Sequence, residues 1–357
     1  MQSRMKSFLG GAAVAALLVT AGGADAGQDH SWTKLPVQNF SVHALTLDHV
    51  IADVTVNVRN DGPATVEIQG PRYLVDDMHV EQQDGAVVVG GPANSKRSFN
   101  VWDWSKWFDY SDVEEQKVKV WATLPRGSSL SAKRMVGDLA VGDLMGHVAV
   151  ETVSSDVKIG HVADANLSVA GSGDISVAGV QNNLSVDVAG SGDVNLGPIG
   201  GAAKISVAGS GDTSIVSVGQ ALDSNIAGSG DLRVGTVNGP VSVSMAGSGD
   251  VDIANGRANP LKISMVGGGD FAFGGAAVDP SISAIGSGDV WIRSYTGHLS
   301  SSGMADVHIG NDDHKYPVPP APPAPPLPPA APLAPPAPPA PPAPPVPPAH
   351  HHHVHGG

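Results

Sequence analysis

The residues of this sequence that could do chemistry are aspartates that recur at a fixed spacing. Each ends a Gly-Ser-Gly-Asp tetrapeptide or its Gly-Gly-Gly-Asp variant, and successive copies lie 19 or 20 residues apart. The aspartates of these copies are Asp174, Asp193, Asp212, Asp231, Asp250, Asp270 and Asp289. Weaker copies place Asp138 and Asp156 before the series and Asp306 after it. A short fixed period is typical of a solenoid, so the carboxylates should stack at about the spacing of its coils.

A column of stacked carboxylates needs compensation. Two unit charges about 5 Å apart repel by roughly 1 kcal/mol in water and by several kcal/mol at an effective dielectric constant of 20. One interpretation is structural, with each carboxylate accepting backbone N–H groups in its own turn. The other is a cation site, because Ca²⁺ prefers carboxylate and carbonyl oxygens and binds other Gly- and Asp-rich repeats. We favour the structural interpretation, which needs no cofactor, and keep calcium as the alternative.

Two other clusters could bind a ligand. An aromatic tract at 99–110 could contact a sugar or a protein partner, or it could plug one end of the solenoid. Its candidate contact residues are Trp102, Trp104, Trp107, Phe108 and Tyr110. A terminal imidazole cluster could bind Zn, Ni or Cu, or it could be incidental. Its members are His350, His351, His352, His353 and His355.

Composition and motifs exclude several classes of function. Cysteine is absent, which excludes disulfides, thiolate metal sites and thiol nucleophiles. The motifs GxSxG, GxGxxG, P-loop and HExxH are missing, and one acid per repeat fits a framework better than an active site. The formal net charge of −14 argues against a nucleic-acid partner. We therefore predict that the protein is not an enzyme.

The elements that must position these residues are β-strands. Apolar residues alternate with polar ones beside each aspartate, as Val186 and Val188 do before Asp193, and a helix cannot use a period of two. Each repeat is then two or three short strands with glycines at the corners. Stacked repeats predict an all-β fold, a right-handed parallel β-helix over 130–310 with a thin apolar core.

The N-terminus predicts export. Residues 1–26 resemble a signal peptide, because Arg4 and Lys6 precede a short apolar run and Ala24-Asp25-Ala26 offers a cleavage site. The run is too short to span a bilayer about 30 Å thick, and no later segment is long and apolar enough to be a membrane helix.

Three further segments flank the repeats. Residues 35–125, with the aromatic insert 99–110, alternate as an irregular N-terminal β-region that we expect to cover one end of the solenoid. Residues 317–349 hold most of the 29 prolines and predict a disordered or polyproline II tail. This tail would be a stiff spacer or a ligand for an aromatic-lined groove. Residues 350–357 form the His-rich terminus.

The serial GSGD turns and the strand at 118–125 resemble the head GIN domain family, whose members are described as candidate auto-transporter adhesins. The resemblance covers about 35–310 and is strongest from Ser131 onward. It implies an exported, β-helix-like protein of bacterial envelopes, with no established enzyme activity and no catalytic residues to carry over. The proline-rich C-terminus differs from the transmembrane barrel of a true auto-transporter.

These observations predict an exported, noncatalytic scaffold of the cell envelope, located in the periplasm, on the outer surface or in the medium of a bacterium. Its partner would be an envelope protein or a glycan. A regular polar strip lies six residues before each aspartate, from Ser168 to Ser283, and is either a solvated sheet face or an adhesive surface. The alternatives are a calcium-dependent module built on the aspartates and a glycan-binding or polysaccharide-active β-helix.

Overall fold

The computed structural model describes residues 31–91 and 117–310, most of which lie in β-strands. The elements before the gap are β1 (Trp32–Lys34), β2 (Gln38–Phe40), β3 (Ala44–Asp48), β4 (Asp53–Arg59), β5 (Ala64–Pro71), α1 (Arg72–Val75), β6 (His79–Gln83) and β7 (Ala86–Gly90).

The strands after the gap form the repeats. They are β8 (Lys119–Pro125), β9 (Ser129–Met135), β10 (Leu139–Val141), β11 (His147–Val153), β12 (Val157–Val162), β13 (Asp164–Gly171), β14 (Ile175–Val180), β15 (Leu184–Gly190), β16 (Val194–Ile199), β17 (Ala203–Gly209), β18 (Thr213–Val218), β19 (Leu222–Gly228), β20 (Leu232–Gly247), β21 (Val251–Gly267), β22 (Phe271–Val278), β23 (Ser281–Gly286), β24 (Val290–Thr296), β25 (Ser300–Gly303) and β26 (Val307–Ile309).

These strands stack in two parallel columns, one strand of each column per coil. The first column runs through β9, β11, β13, β15, β17, β19, the second halves of β20 and β21, β23 and β25. The second column runs through β10, β12, β14, β16, β18, the first halves of β20 and β21, β22, β24 and β26. The predicted β-solenoid is confirmed, with about nine turns.

The 19-residue period sets the register. Val186 lies opposite Ile205 in the first column, and Leu196 lies opposite Ile215 in the second. Two successive residues face inward within β16, Leu196 and Gly197, so the second-column strand bends and the coil gains a third side. Equivalent residues therefore form rows along the axis of the solenoid.

The core consists of these inward rows. Val, Ile and Leu from both columns are 0–4% exposed, and they form one continuous cluster from Val42 to Ile292. Among the described strand residues, three inward positions carry hydroxyls instead. The hydroxyl of Thr152 donates to the carbonyl oxygen of Met135 at 2.9 Å, whereas those of Thr213 and Ser224 have no hydrogen-bond partner in the described part of the chain. Both interrupt rows that are otherwise apolar in the neighbouring coils.

The N-terminal strands are interleaved with the solenoid. The coil formed by β3 and β4 lies between the coil of β7 and β8 and the coil of β9 and β10, and every one of these pairings is parallel. Beyond it, β6 pairs antiparallel with β7, β5 with β8, and β1 and β2 with β5. These antiparallel strands occupy the sheet edges at this end, which would otherwise offer unpaired backbone groups to other chains.

Candidate interaction surface and the aspartate ladder

The repeated aspartates form a hydrogen-bonded ladder along one corner of the solenoid. The backbone N–H of each aspartate donates to Oδ1 of the aspartate one coil earlier, over 2.8–3.3 Å. The ladder runs through Asp53, Asp138, Asp156, Asp174, Asp193, Asp212, Asp231, Asp250, Asp270 and Asp289. Each aspartate carbonyl also accepts a backbone bond from the preceding coil, as Asp193 does from Ile175. The carboxylates therefore tie consecutive coils together.

This geometry differs from the predicted one in a single respect. We expected each carboxylate to bond within its own turn, whereas the donor is the aspartate of the next coil. The reason is the stacking itself, which places that N–H directly over the carboxylate. Asp53 was missed because it stands 85 residues before Asp138, and only the interleaved coil of β3 and β4 brings the two together.

The glycines before each aspartate permit this close stacking. A Cβ atom added to Gly228 would lie 1.8 Å from the carbonyl oxygen of Gly209, and Gly228 also has a φ of +144°. A Cβ added to Gly230 would lie 2.1 Å from the carbonyl oxygen of Gly211. Real Cβ atoms never approach backbone this closely, so both glycines of the tetrapeptide are required by the neighbouring coil as well as by the corner.

Few cations lie on the ladder. Arg233 donates from Nη2 to Asp231 at 2.7 Å, and its Nη1 lies 3.5 Å from Asp212. Beside it, burial raises the pKa of Asp252, and the nearby ladder carboxylate of Asp250 raises it further, against the opposing charge of Arg233. Within the described residues, this corner is thus a row of carboxylates that Arg233 neutralises in part.

A shorter set of polar bonds joins coils at other corners. Asp164 Oδ1 accepts the N–H of Asn183 at 3.2 Å, and Asn183 Oδ1 accepts the N–H of Ala202 at 3.0 Å. Asp143 accepts the backbone N–H of His161 at 2.7 Å, which lowers the pKa of that carboxyl. The signal for Asp164 and Asn183 was present in the sequence, since they lie 19 residues apart.

The outer face of the first column is a regular surface that extends over the coils from β11 to β25. Its first polar row contains the predicted strip and one residue at each end of it, Glu151, Ser168, Asp187, Ser206, Asn225, Ser244, Ser264, Ser283 and Ser302. All of these residues are exposed except Ser206, which is half-buried. Small hydroxyl and amide side chains therefore make up most of this row, with carboxylates at Glu151 and Asp187.

An apolar row runs beside the first polar row, two residues further along each strand. It contains Val153, Ala170, Ala189, Ala208, Ala227, Ala246, Val266 and Ile285, and Met304 follows at the corner after β25. The larger members are exposed by 48% at Val153, 55% at Val266 and 58% at Ile285. Sequence reasoning missed this row, although alanine recurs four residues before five of the aspartates.

A shallow depression marks the N-terminal part of the same face. It has a volume of about 300 Å³ and is lined by residues of β9, β11, β13 and β15, among them Lys133, Glu151, Ser168 and Asp187. Its floor is the backbone of the sheet, whose N–H and C=O groups are already paired between strands. It can therefore offer a partner only side-chain contacts.

The other predicted binding residues lie outside the described part of the chain. These are the aromatic residues Trp102, Trp104, Trp107, Phe108 and Tyr110, in the segment between β7 and β8, and the imidazoles of His350, His351, His352, His353 and His355. The predictions for both clusters stay predictions. Among the residues that the structure describes, no helix is long and apolar enough to cross a membrane.

The family model described as "Putative auto-transporter adhesin, head GIN domain" matches residues 49–240, more than half of the chain. The chain belongs to this family, as the GSGD turns predicted. A search of curated proteins found no significant match.

Solved structures with a similar arrangement are also found. A "putative adhesin" from Parabacteroides merdae has 17% sequence identity and a TM-score of 0.39, over 79% of this chain and 96% of that one. A "putative adhesin" from Parabacteroides distasonis has 18% identity and a TM-score of 0.37, over 79% and 98%. A "putative lipid binding protein" from the same species has 15% identity and a TM-score of 0.37, over 79% and 96%. At these values the similarities carry no argument about function.

Proposed function

We propose that this protein is a noncatalytic adhesion-type scaffold of the bacterial cell envelope, which binds its partner through the outer face of the first column. The observation that carries the proposal is the pairing of the first polar row with the apolar row along the whole series of parallel strands. Membership of an adhesin-head family supports the same reading. A flat amphipathic face of this length suits contact with another surface rather than enclosure of a small substrate.

The side chains of this face lower the cost of binding. Serine and alanine lose little or no rotamer freedom when a partner covers them, whereas long side chains lose about 1.5–2 kcal/mol each. The rigid backbone adds no ordering cost, because each first-column strand from β9 to β23 is bonded on both sides. Because successive coils lie about 4.8 Å apart, each row would then sum many weak contacts into one stable interface.

The partner that fits this face best is another protein with an apolar edge. Val266, Ile285 and Met304 offer exposed apolar area at one end of the row. The polar and apolar rows hold no aromatic side chain on which a sugar could stack. A glycan partner would instead have to use the aromatic tract at 99–110.

The location is part of the proposal. Residues 1–26 have the charge, apolar run and A-x-A site of an export signal, and the proline-rich segment 317–349 would hold the solenoid away from an anchor or a partner. Fractionation of the producing cells with N-terminal sequencing of the mature chain tests this part. We expect a chain that begins near Gly27 outside the cytoplasm, and an intact Met1 in the cytoplasm would contradict it.

Paired lysine substitutions test the binding face. Ser206→Lys with Ser244→Lys places two charges in the first polar row, and the matched control, Asn195→Lys with Ser214→Lys, places two on the outer face of the second column. Beads coated with purified full-length protein are mixed with labelled envelope fragments of the producing bacterium, and the capture is measured. The first pair should reduce capture at least tenfold, while the control pair leaves it near that of the unmodified protein. Equal effects of the two pairs, at equal melting temperatures, would refute the assignment to this face.

A further inference from the structure

The aspartate ladder ends in a different arrangement from the one that it keeps elsewhere. The last coil is shorter, since Asp306 follows Asp289 after 17 residues rather than 19. Within the described residues, the carboxylate of Asp289 accepts no N–H from the next coil, unlike the carboxylates of the nine ladder members before it. Asp289 is half-buried at the end of the column.

A carboxylate and an imidazole of the last coil lie close to the carboxylate of Asp289. The carboxylates of Asp289 and Asp306 and a ring nitrogen of His308 offer ligand atoms that all lie within 4.8 Å of one another. The ring of His308 stacks on Trp291, with centroids 5.5 Å apart and an interplanar angle of 13°. This stacking fixes the plane of the imidazole beside the two carboxylates.

We propose that Asp289, Asp306 and His308 form a binding site for a divalent transition metal such as zinc, which fastens the last coil to the one before it. Three atoms within 4.8 Å of one another lie at most about 2.8 Å from a common centre, so each needs to move by at most about 0.7 Å to reach zinc–ligand distances of about 2.0–2.2 Å. Asp306 and His308 are exposed and can make this movement. One imidazole with two carboxylates suits zinc better than calcium, which prefers oxygen ligands alone.

A metal at this site would stabilise the C-terminal end of the solenoid. The strands of the last coil, β25 and β26, pair with described strands on one side only. A metal that joins Asp289 of the penultimate coil to Asp306 and His308 of the last coil would hold β26 against β24 without any further strand. Because the metal binds only the folded arrangement, it would also raise the melting temperature.

The test must separate this site from the terminal imidazoles. The full-length chain with His350, His351, His352, His353 and His355 replaced by alanine serves as the parent, and ZnCl₂ is titrated into it by calorimetry. One equivalent of zinc should bind and raise the melting temperature. In the same parent, His308→Ala and Asp306→Asn should each weaken binding at least tenfold. The matched control, His298→Ala, removes another exposed imidazole of this region and should leave binding unchanged.

Hydrogen exchange gives an independent readout. Zinc should slow amide exchange in β25 and β26 of the parent but not of His308→Ala, while the central coils exchange alike in both. The absence of saturable zinc binding by the parent would overturn the proposal. Equal zinc affinity in the parent, His308→Ala and Asp306→Asn would also overturn it.

Discussion

Two substitutions of one ladder aspartate distinguish the contribution of its hydrogen bond to stability from the contribution of its charge. Asp174 is the best position, because its N–H donates to Asp156 at 3.1 Å, its Oδ1 accepts the N–H of Asp193 at 2.9 Å, and Arg233 reaches only later coils. Asp174→Asn keeps an acceptor oxygen and removes the charge. Asp174→Ala removes both.

The expected magnitudes follow from the geometry. Loss of an exposed hydrogen bond costs about 0.5–1.5 kcal/mol. Each neighbouring carboxylate, one coil spacing of about 4.8 Å away, repels Asp174 by at most about 0.9 kcal/mol in water without salt. At low salt Asp174→Asn should therefore be more stable than the unmodified protein by about 1 kcal/mol, while in Asp174→Ala the two effects nearly cancel. At high salt, where repulsion is screened, Asp174→Asn should match the unmodified protein and Asp174→Ala should fall about 1 kcal/mol below it.

Chemical and thermal unfolding at 20 mM and 500 mM NaCl measure these differences. A change of 1 kcal/mol corresponds to about 2–4 °C in melting temperature for a domain of 150–250 residues. Asp187→Ala, which removes an exposed aspartate outside the ladder, is the control for loss of net charge. If Asp174→Asn and Asp174→Ala melted together at both salt concentrations, the hydrogen bond between coils would contribute nothing and the reasoning would be refuted.

Four further predictions concern the same framework. Thr213→Val should raise the melting temperature by about 2–4 °C, because the buried Thr213 hydroxyl has no partner in the described residues and burying it costs about 1 kcal/mol or more; an unchanged midpoint would show that the hydroxyl is satisfied. Gly228→Ala should destabilise by more than about 3 kcal/mol in urea unfolding, since its Cβ would meet the carbonyl oxygen of Gly209 at 1.8 Å, while Ser229→Ala at the exposed corner should not. Asp252→Asn should raise the free energy of unfolding at pH 7, because the raised pKa of Asp252 means that its ionised form is costly only in the folded state. This gain should disappear as the pH falls below about 4, where the carboxyl of the unmodified protein is protonated in both states. An equal gain at pH 7 and below about pH 4 in urea unfolding would contradict this. The melting temperature should be the same with calcium and with a chelator if the ladder carboxylates only bond neighbouring coils together. A melting temperature that rises with calcium would support the cation site instead.

The repeats made most of this fold predictable from the sequence. A period of 19 with alternating apolar residues can be satisfied only by stacked coils, so the sequence predicts rows of equivalent residues, such as the one in which Val186 lies opposite Ile205. The glycines and aspartates of the corners followed from the same period. Periodicity is a local property of the chain, and it determines the rows wherever the chain climbs by one coil per repeat.

The rest could not be predicted because it depends on contacts between distant segments. The coil of β3 and β4 carries no GSGD turn, and nothing in its sequence states that it lies between β8 and β10. The sequence therefore contains no signal that Asp53 belongs to the ladder. The cluster of Asp289, Asp306 and His308 was missed for a related reason. His308 lies opposite Trp291 only because β24 and β26 are stacked, and the last repeat is shorter than the others.

Because of the interleaved coil, the two ends of the solenoid differ in the order in which their strands can pair during synthesis. They also differ in how they would respond to truncation. Strands β3 and β4 leave the ribosome, or any translocation pore, before either of the coils that flank them, and their final pairing waits until β10 has emerged. Trimming repeats from the C-terminus would shorten the rod by whole steps and leave the remaining register intact. Trimming the first sixty residues would instead remove a middle layer and leave β8 and β10 facing each other across an empty space.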